Sequence, residues 1–404
     1  MTEDRPAADD GRPPVRELVS RRAFLVGGAA LVGVTAGAGV TGAATAANRP
    51  PADEAGRAVV PFHGDRQAGV ATTPQAFATL LAFDLVPGVD RERLLRLLRI
   101  WTDDAARLTQ GRPGLADTEP ELAAVPASLT VTLGLGPGAF RVARRTDRRP
   151  AWLAPLPRFA VDDLRPEWTG GDLLLQLCAD DPVTLAHAAR VLVRQASTFA
   201  SVRWVQQGFR RAPGAVAPGT TMRNLFGQVD ETRNLVPGRD DDLIWHDDGP
   251  LAGGTGMVVR RIAMDLDGWE ELDRPARELV VGRRLADGAP LTGRAEHDEP
   301  DLDAVGPDGL AVIPPWAHVR RARTDDPRQR FLRRSYSYDD GTGGDTGLVF
   351  VTFQADVSAQ FVPVQRRLAE LDLMNTWTTP IGSAVFAVPG GVAPGEHLGQ
   401  RLLA

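Results

Sequence analysis

The chain has 404 residues, 43% of them apolar and 24% charged, enough for two compact domains of ordinary globular composition. Its net charge of -6 gives no footing for nucleic-acid binding, and with no lysine present all 46 basic residues are arginines. A single cysteine, Cys178, excludes an intrachain disulfide and any multi-cysteine metal site, and its apolar run Leu173-Leu174-Leu175-Gln176-Leu177 marks it as a buried thiol.

The chain begins with a targeting pattern. Ser20-Arg21-Arg22-Ala23-Phe24-Leu25 matches a twin-arginine motif, a weakly apolar run follows from Val26 to Val40, and Ala44-Thr45-Ala46 offers a cleavage site. Residues 1–47 therefore read as a twin-arginine signal peptide and 48–58 as a tether. Export by the twin-arginine machinery, to the periplasm, cell envelope or medium, is the expectation; that route carries folded proteins, which suits one holding a cofactor.

The first domain, 59–220, reads as strand, helix, strand, strand, helix, strand. The apolar run Ala76–Leu85 is a strand without alternation, and Asp90–Leu108 places Leu94, Leu95, Leu97 and Leu98 on a helical face. Ser128–Gly136 alternates as a strand and stops at Pro137-Gly138; Leu173–Ala179 is a short apolar strand. Pro182–Ala200 is a surface helix that carries His187, and Val202–Phe209 is the last strand. This is the order of a ferredoxin-like α+β domain.

Residues 221–404 repeat that order: strand Gly256–Asp265, helix Gly268–Leu285, strands Tyr336–Tyr338 and Gly347–Gln354, helix Phe361–Asn375 and strand Gly382–Pro389. The fold class is thus α+β, with two ferredoxin-like domains built on antiparallel sheets. The connection of about 286–332 is too long for a plain link and too rich in Asp, Pro and Gly for core, so it is read as functional. It carries His318, in Pro314-Pro315-Trp316-Ala317-His318-Val319-Arg320. The remaining histidines, His63, His187, His246, His297 and His397, fall in ordinary settings, with His246 in an acidic loop and His397 in the terminal tail.

Three segments in order carry chemistry: Gly227-Gln228-Val229-Asp230-Glu231, the His318 segment, and Phe331-Leu332-Arg333-Arg334-Ser335-Tyr336-Ser337-Tyr338. Together they resemble the dye-decolourising peroxidase family, whose signature is GxxDG followed by a haem-ligating histidine and then a distal arginine. Val59-Val60-Pro61-Phe62-His63-Gly64-Asp65-Arg66-Gln67 is similar to the start of the family's exported A-type branch. The resemblance implies one haem b per chain, between sheet and helices of the second domain, with His318 as axial ligand to its iron. It implies hydrogen peroxide as oxidant and dyes, phenols or other one-electron donors as reductants. Asp230 would be the distal base, and an arginine beside it, Arg333, favours the charged carboxylate and stabilises the charge that develops as the O–O bond breaks. An optimum below neutral pH follows from a carboxylate base.

By the same resemblance Glu231, Thr232, Arg233, Arg323, Thr324 and Asp325 lie along the haem edge, where arginines pair with propionates. The histidine needs an acceptor at its other nitrogen, for which Asp325 and Asp326 are near in sequence. Tyr336, Tyr338 and Trp377 are side chains able to carry a radical or to pack as core. Glu231 departs from the motif: a glycine there permits positive φ and close approach. The glutamate either turns away with little effect or crowds the pocket; retained activity is the expectation. Two other readings stay open, a deferrochelatase that takes iron from haem and a non-enzymatic haem-binding protein. The sequence leaves a homo-oligomer open.

Overall fold

A computed structural model describes residues 56–404. The twin-arginine segment and most of the tether lie outside the described residues. The elements in chain order are β1 (Phe77–Leu85), α1 (Arg91–Leu108), β2 (Thr130–Leu135), α2 (Pro137–Val142), β3 (Leu173–Ala179), α3 (Pro182–Ala196) and β4 (Ala200–Phe209), then α4 (Asp241–Ile244), β5 (Thr255–Met264), α5 (Leu266–Glu270), α6 (Arg274–Val281), α7 (His318–Ala322), β6 (Leu332–Arg333), β7 (Tyr336–Asp339), β8 (Thr346–Gln354), α8 (Val362–Leu371), β9 (Thr378–Val388) and α9 (Gln400–Leu403).

Two sets of four antiparallel strands share one order. In the first half the neighbours run β4, β1, β3, β2; in the second they run β9, β5, β8, β7. Each is fourth-first-third-second, the arrangement of a ferredoxin-like unit, so the α+β duplication holds. The units are not separate sheets. β2 meets β9 at Leu135 and Ala387, and β4 meets β7 at Phe209 and Ser337, which joins everything into one nine-stranded sheet.

The strands β1 and β3 fail to alternate in sequence because both of their faces are covered. Leu81 and Phe83 of β1 point into a core under α1 and α3, whereas Ala78, Leu80 and Ala82 point into a second core shared with Met257, Val259, Val351 and Phe353 of the other half. Cys178, Tyr336 and Tyr338 belong to that second core and are buried.

Local chemistry sets the helix ends. Asp90 accepts the Arg93 amide at 2.9 Å to start α1, and Asp181 accepts the Thr184 amide at 2.7 Å to start α3, with Pro182 behind it. Two expected helices are corrected. The stretch 268–285 is not one helix but α5 and α6, because Asp273 accepts the Ala276 amide and starts a new helix with a proline in its first turn, and Gly282 ends it at φ +82°. The stretch 361–375 ends as helix at Leu371 and is preceded by a π-helical turn, Val357–Phe361. His187 on α3 is buried and meets Asp117 at 2.8 Å.

Candidate active site

The turn that holds Asp230 is built by its own asparagine. Asn224 Oδ1 accepts the amides of Phe226 and Gln228 at 3.1 and 3.3 Å, Gly227 takes φ +77°, and the Asp230 amide donates to Met222 O at 2.8 Å. Phe226 anchors the turn to the core by stacking on Trp269 with ring centroids 4.6 Å apart. Gly288 packs against Val229 so closely that a side chain there would strike all of Val229's branched carbons. Asp230 thus projects from a loop braced on three sides.

Arg333 is held by its backbone. Asn234 Oδ1 accepts the Arg333 amide at 2.8 Å and Asn234 Nδ2 donates to the Arg333 carbonyl at 2.7 Å, while β6 pairs with β8 through Arg333 and Thr352. Its guanidinium Nη1 then lies 3.4 Å from Asp230 Oδ1, and Asn224 Nδ2 lies 3.4 Å from Asp230 Oδ2. Neither Asn224 nor Asn234 is a site residue by sequence reasoning, although both sit in the segment that carries Asp230.

His318 opens α7 after the Pro314-Pro315 turn, and the Ala317 amide donates to Pro314 O at 3.0 Å. Gly282 at the end of α6 makes this possible, because a Cβ there would collide with Val319 and press on Ile313 and Ala317. The acceptor for His318 is Asp372, not the nearby Asp325 or Asp326: Nδ1 lies 2.5 Å from Asp372 Oδ2. Asp326 is occupied with Arg328 and Thr324 instead. Asp372 is fixed in turn, because its Oδ1 accepts the Met374 amide at 3.0 Å and the carboxylate is 3% exposed.

A carboxylate at Nδ1 keeps the proton there and leaves Nε2 as the free nitrogen. Burial opposes a charge on the ring, but Asp372 outweighs it and holds His318 above the ordinary histidine value; Asp230 adds to this and Arg333 opposes it. The three functional groups therefore share one electrostatic neighbourhood. The His318 side chain is 36% accessible.

The remaining predicted residues fall in different settings. Arg233 and Arg323 both pair with the carboxylate of Glu299. The Thr232 hydroxyl is buried and has no partner. Thr324 bonds to Gln329 at 3.0 Å, and Asp325 is exposed. Arg283 joins them unannounced by the sequence: burial lowers its pKa first, and Arg233 and Arg333 lower it further, so three guanidiniums converge. Glu231 behaves differently. It holds φ +72°, one of four non-glycine residues with positive φ among the described residues, a conformation that costs a side chain about 1 kcal/mol. Its carboxylate is 8% exposed and accepts Arg210 Nη2 and the Ser335 amide, both at 2.8 Å. Two shallow clefts of about 250 and 320 Å³, between α1 and the C-terminal tail, include none of these residues.

A duplicated ferredoxin-like fold with a carboxylate-braced imidazole near an Asp–Arg pair is the arrangement expected of an oxidoreductase of the haem-peroxidase class. Comparison with known proteins gives the particular family. Family models for the N-terminal and C-terminal parts of Dyp-type peroxidases match residues 67–210 and 221–393. The chain is 40% identical over 423 aligned positions to the dye-decolorizing peroxidase of Thermobifida fusca (strain YX), covering 95% of this chain and 97% of the relative. It is 35% identical to a deferrochelatase of Yersinia pestis, covering 85% of this chain and 84% of the relative. Among solved structures, the DyP-type peroxidase of Cellulomonas bogoriensis superposes with a TM-score of 0.84 at 59% identity, covering 86% of this chain and 99% of that one. That of Streptomyces coelicolor gives 0.85 at 44% identity, covering 88% and 100%. The chain belongs to the Dyp-type peroxidases, a family of haem-dependent oxidoreductases.

Proposed function

We propose that this chain reduces hydrogen peroxide at one haem b and oxidises dyes, phenols or similar one-electron donors, with Asp230, Arg333 and His318 in the central roles. The observation that carries the assignment is the Asp230–Arg333 pair, 3.4 Å apart, within electrostatic reach of an imidazole whose Nδ1 is tied to Asp372.

The residues fit the group. His318 offers one free nitrogen, enough for an iron whose other ligands are porphyrin nitrogens. Asp372 raises the donor strength of that nitrogen. Arg233, Arg283 and Arg323, with the unpartnered Thr232 hydroxyl, suit propionate carboxylates. When bound, the haem supplies the electrons that reduce peroxide and the oxidising power that is passed to the donor. Asp230 would take a proton from one peroxide oxygen and return it to the departing one. Arg333 holds Asp230 charged and stabilises the negative charge on the departing oxygen. Asn224 and Asn234 keep the pair in register. Tyr336 and Tyr338 are core residues and Trp377 packs edge-on against Trp269, so their first role is structural.

Export by the twin-arginine route belongs to the same reading and rests on Ser20-Arg21-Arg22 and the A-x-A site. No helix of the described residues is long and apolar enough to cross a membrane. A second reading, removal of iron from haem with the ring intact, is supported by relatives of 33 to 35% identity that bear the name deferrochelatase. One experiment separates them. The haem-loaded protein is given peroxide and an anthraquinone dye in air, or a reductant without oxygen. Dye bleaching with no free protoporphyrin supports the peroxidase assignment; protoporphyrin release without bleaching overturns it.

A further inference from the structure

Glu231 stands where the family motif has glycine, yet the backbone has kept the left-handed conformation that glycine would adopt freely. A side chain retained under that strain needs a compensating contact, and the contact here is specific. Glu231 Oε1 accepts two donors, Arg210 Nη2 and the Ser335 amide, each at 2.8 Å. Arg210 Nε donates to the Ser335 carbonyl at 2.6 Å, so Arg210, Glu231 and Ser335 close a ring of three hydrogen bonds. Arg210 is anchored outside the ring as well. Its amide donates to Ala76 O at 2.7 Å, and its guanidinium lies over Tyr336, 5.0 Å from the ring centroid.

The ring sits between the two residues that matter. Asp230 directly precedes Glu231, and its Oδ1 accepts the Glu231 amide at 2.7 Å. Arg333 lies two residues before Ser335. Asn234 grips the backbone of Arg333 and Glu231 grips the backbone of Ser335, so one turn fixes the end of β6 and the link to β7 at two points. Both ring side chains are largely removed from solvent, at 12% for Arg210 and 8% for Glu231, where a charge-assisted bond is strong and its loss is felt.

We infer that Glu231 is a positioning residue which, with Arg210 from the first half of the chain, sets the separation of Asp230 and Arg333 and replaces the motif glycine by a clamp. This rests on the assignment of Asp230 and Arg333 to peroxide chemistry. Glu231 itself touches neither peroxide nor the reacting oxygen.

The test compares haem-loaded wild type with Glu231→Gly, Glu231→Gln, Arg210→Leu and the Glu231→Gly/Arg210→Leu double variant, with Asp230→Asn as reference. Glu231→Gly removes the strain along with the clamp, so it should fold and take up haem as wild type does by thermal melting and Soret titration. Its kcat for peroxide turnover should fall about tenfold with KM little changed, the sign of lost transition-state alignment. Glu231→Gln keeps an acceptor for both donors and should retain at least about half of kcat. The double variant should be no slower than the slower single variant, because both break one ring. In the haem-free protein the Ser335 amide should exchange at least about tenfold faster in Glu231→Gly. A Glu231→Gly enzyme within twofold of wild type, or an unchanged Ser335 exchange rate, would overturn the inference. If Asp230→Asn itself loses no turnover, the peroxidase assignment of Asp230 fails, and the Ser335 exchange result still judges the clamp.

Discussion

The two halves of the chain share a strand order but differ in what covers the strands. In the first half α1, of 18 residues, and α3, of 15, lie as long capped helices whose buried faces include Leu94, Leu97, Leu98 and Trp101 on one and Leu185, Val191 and Leu192 on the other. In the second half the first helix is broken into α5 and α6, the second is preceded by a π turn, and α6 and α8 each bury only two side chains, Val280 with Val281 and Val362 with Val364. The segment 283–331 enters that thinner layer and brings His318. The fold contains two similar scaffolds, and the one whose helices cover the sheet less fully is the one that carries the candidate site. The other half is not idle, because Arg210 crosses from it to brace Glu231.

The sharpest break of this comparison is an ion pair that links the halves. Arg260 on β5 is 1% exposed and pairs with Asp162, from the connection between β2 and β3. Asp162→Ala leaves that guanidinium buried without a counter-charge and should cost about 3–5 kcal/mol, read as lowered stability in urea. The next effect is confined to the site. Asp372→Ala should weaken haem binding by about 10–100-fold in a Soret titration while leaving the melting of the haem-free protein nearly unchanged.

The smallest effect concerns acid. Burial lowers the pKa of both His246 and His397 from the ordinary value of 6.5. Below that value the unfolded chain takes up protons that the folded chain refuses, so stability should be complete above it and decline as pH falls through it toward the lowered folded values. His397→Gln should flatten part of that decline, measured as melting temperature against pH. A parallel decline in wild type and variant would show that His397 contributes nothing.

Much of this was legible in the sequence. The element order of both halves could be read because apolar runs are separated by Gly/Pro punctuation at many boundaries, and His318 was singled out by its long loop and by the resemblance of its segment to the family's ligand segment. The split at Asp273 was also within reach, since an Asp two residues before Pro275 is a helix-start signal that the leucine and valine spacing obscured. Other features could not be read. Asp372 lies 54 positions from His318 and meets it only because the turn after α8 packs against α7. The β2–β9 and β4–β7 pairings that unite the sheet are contacts between halves, invisible to local pattern. The partner of His187, Asp117, comes from a distant loop and carries no local signal. The direction of the Glu231 side chain depended on Arg210, which carries no signal of its own.

The central claim is that His318 is the residue through which this half of the fold holds haem. The direct measurement is the absorption spectrum of the haem-free protein titrated with haem, in wild type and in His318→Ala, with Asp117→Asn as a control that alters a buried histidine's partner in the other half. The account predicts a saturable Soret band in wild type and in Asp117→Asn, and a shifted, weakly saturable band in His318→Ala. An unaltered band and affinity in His318→Ala would contradict it.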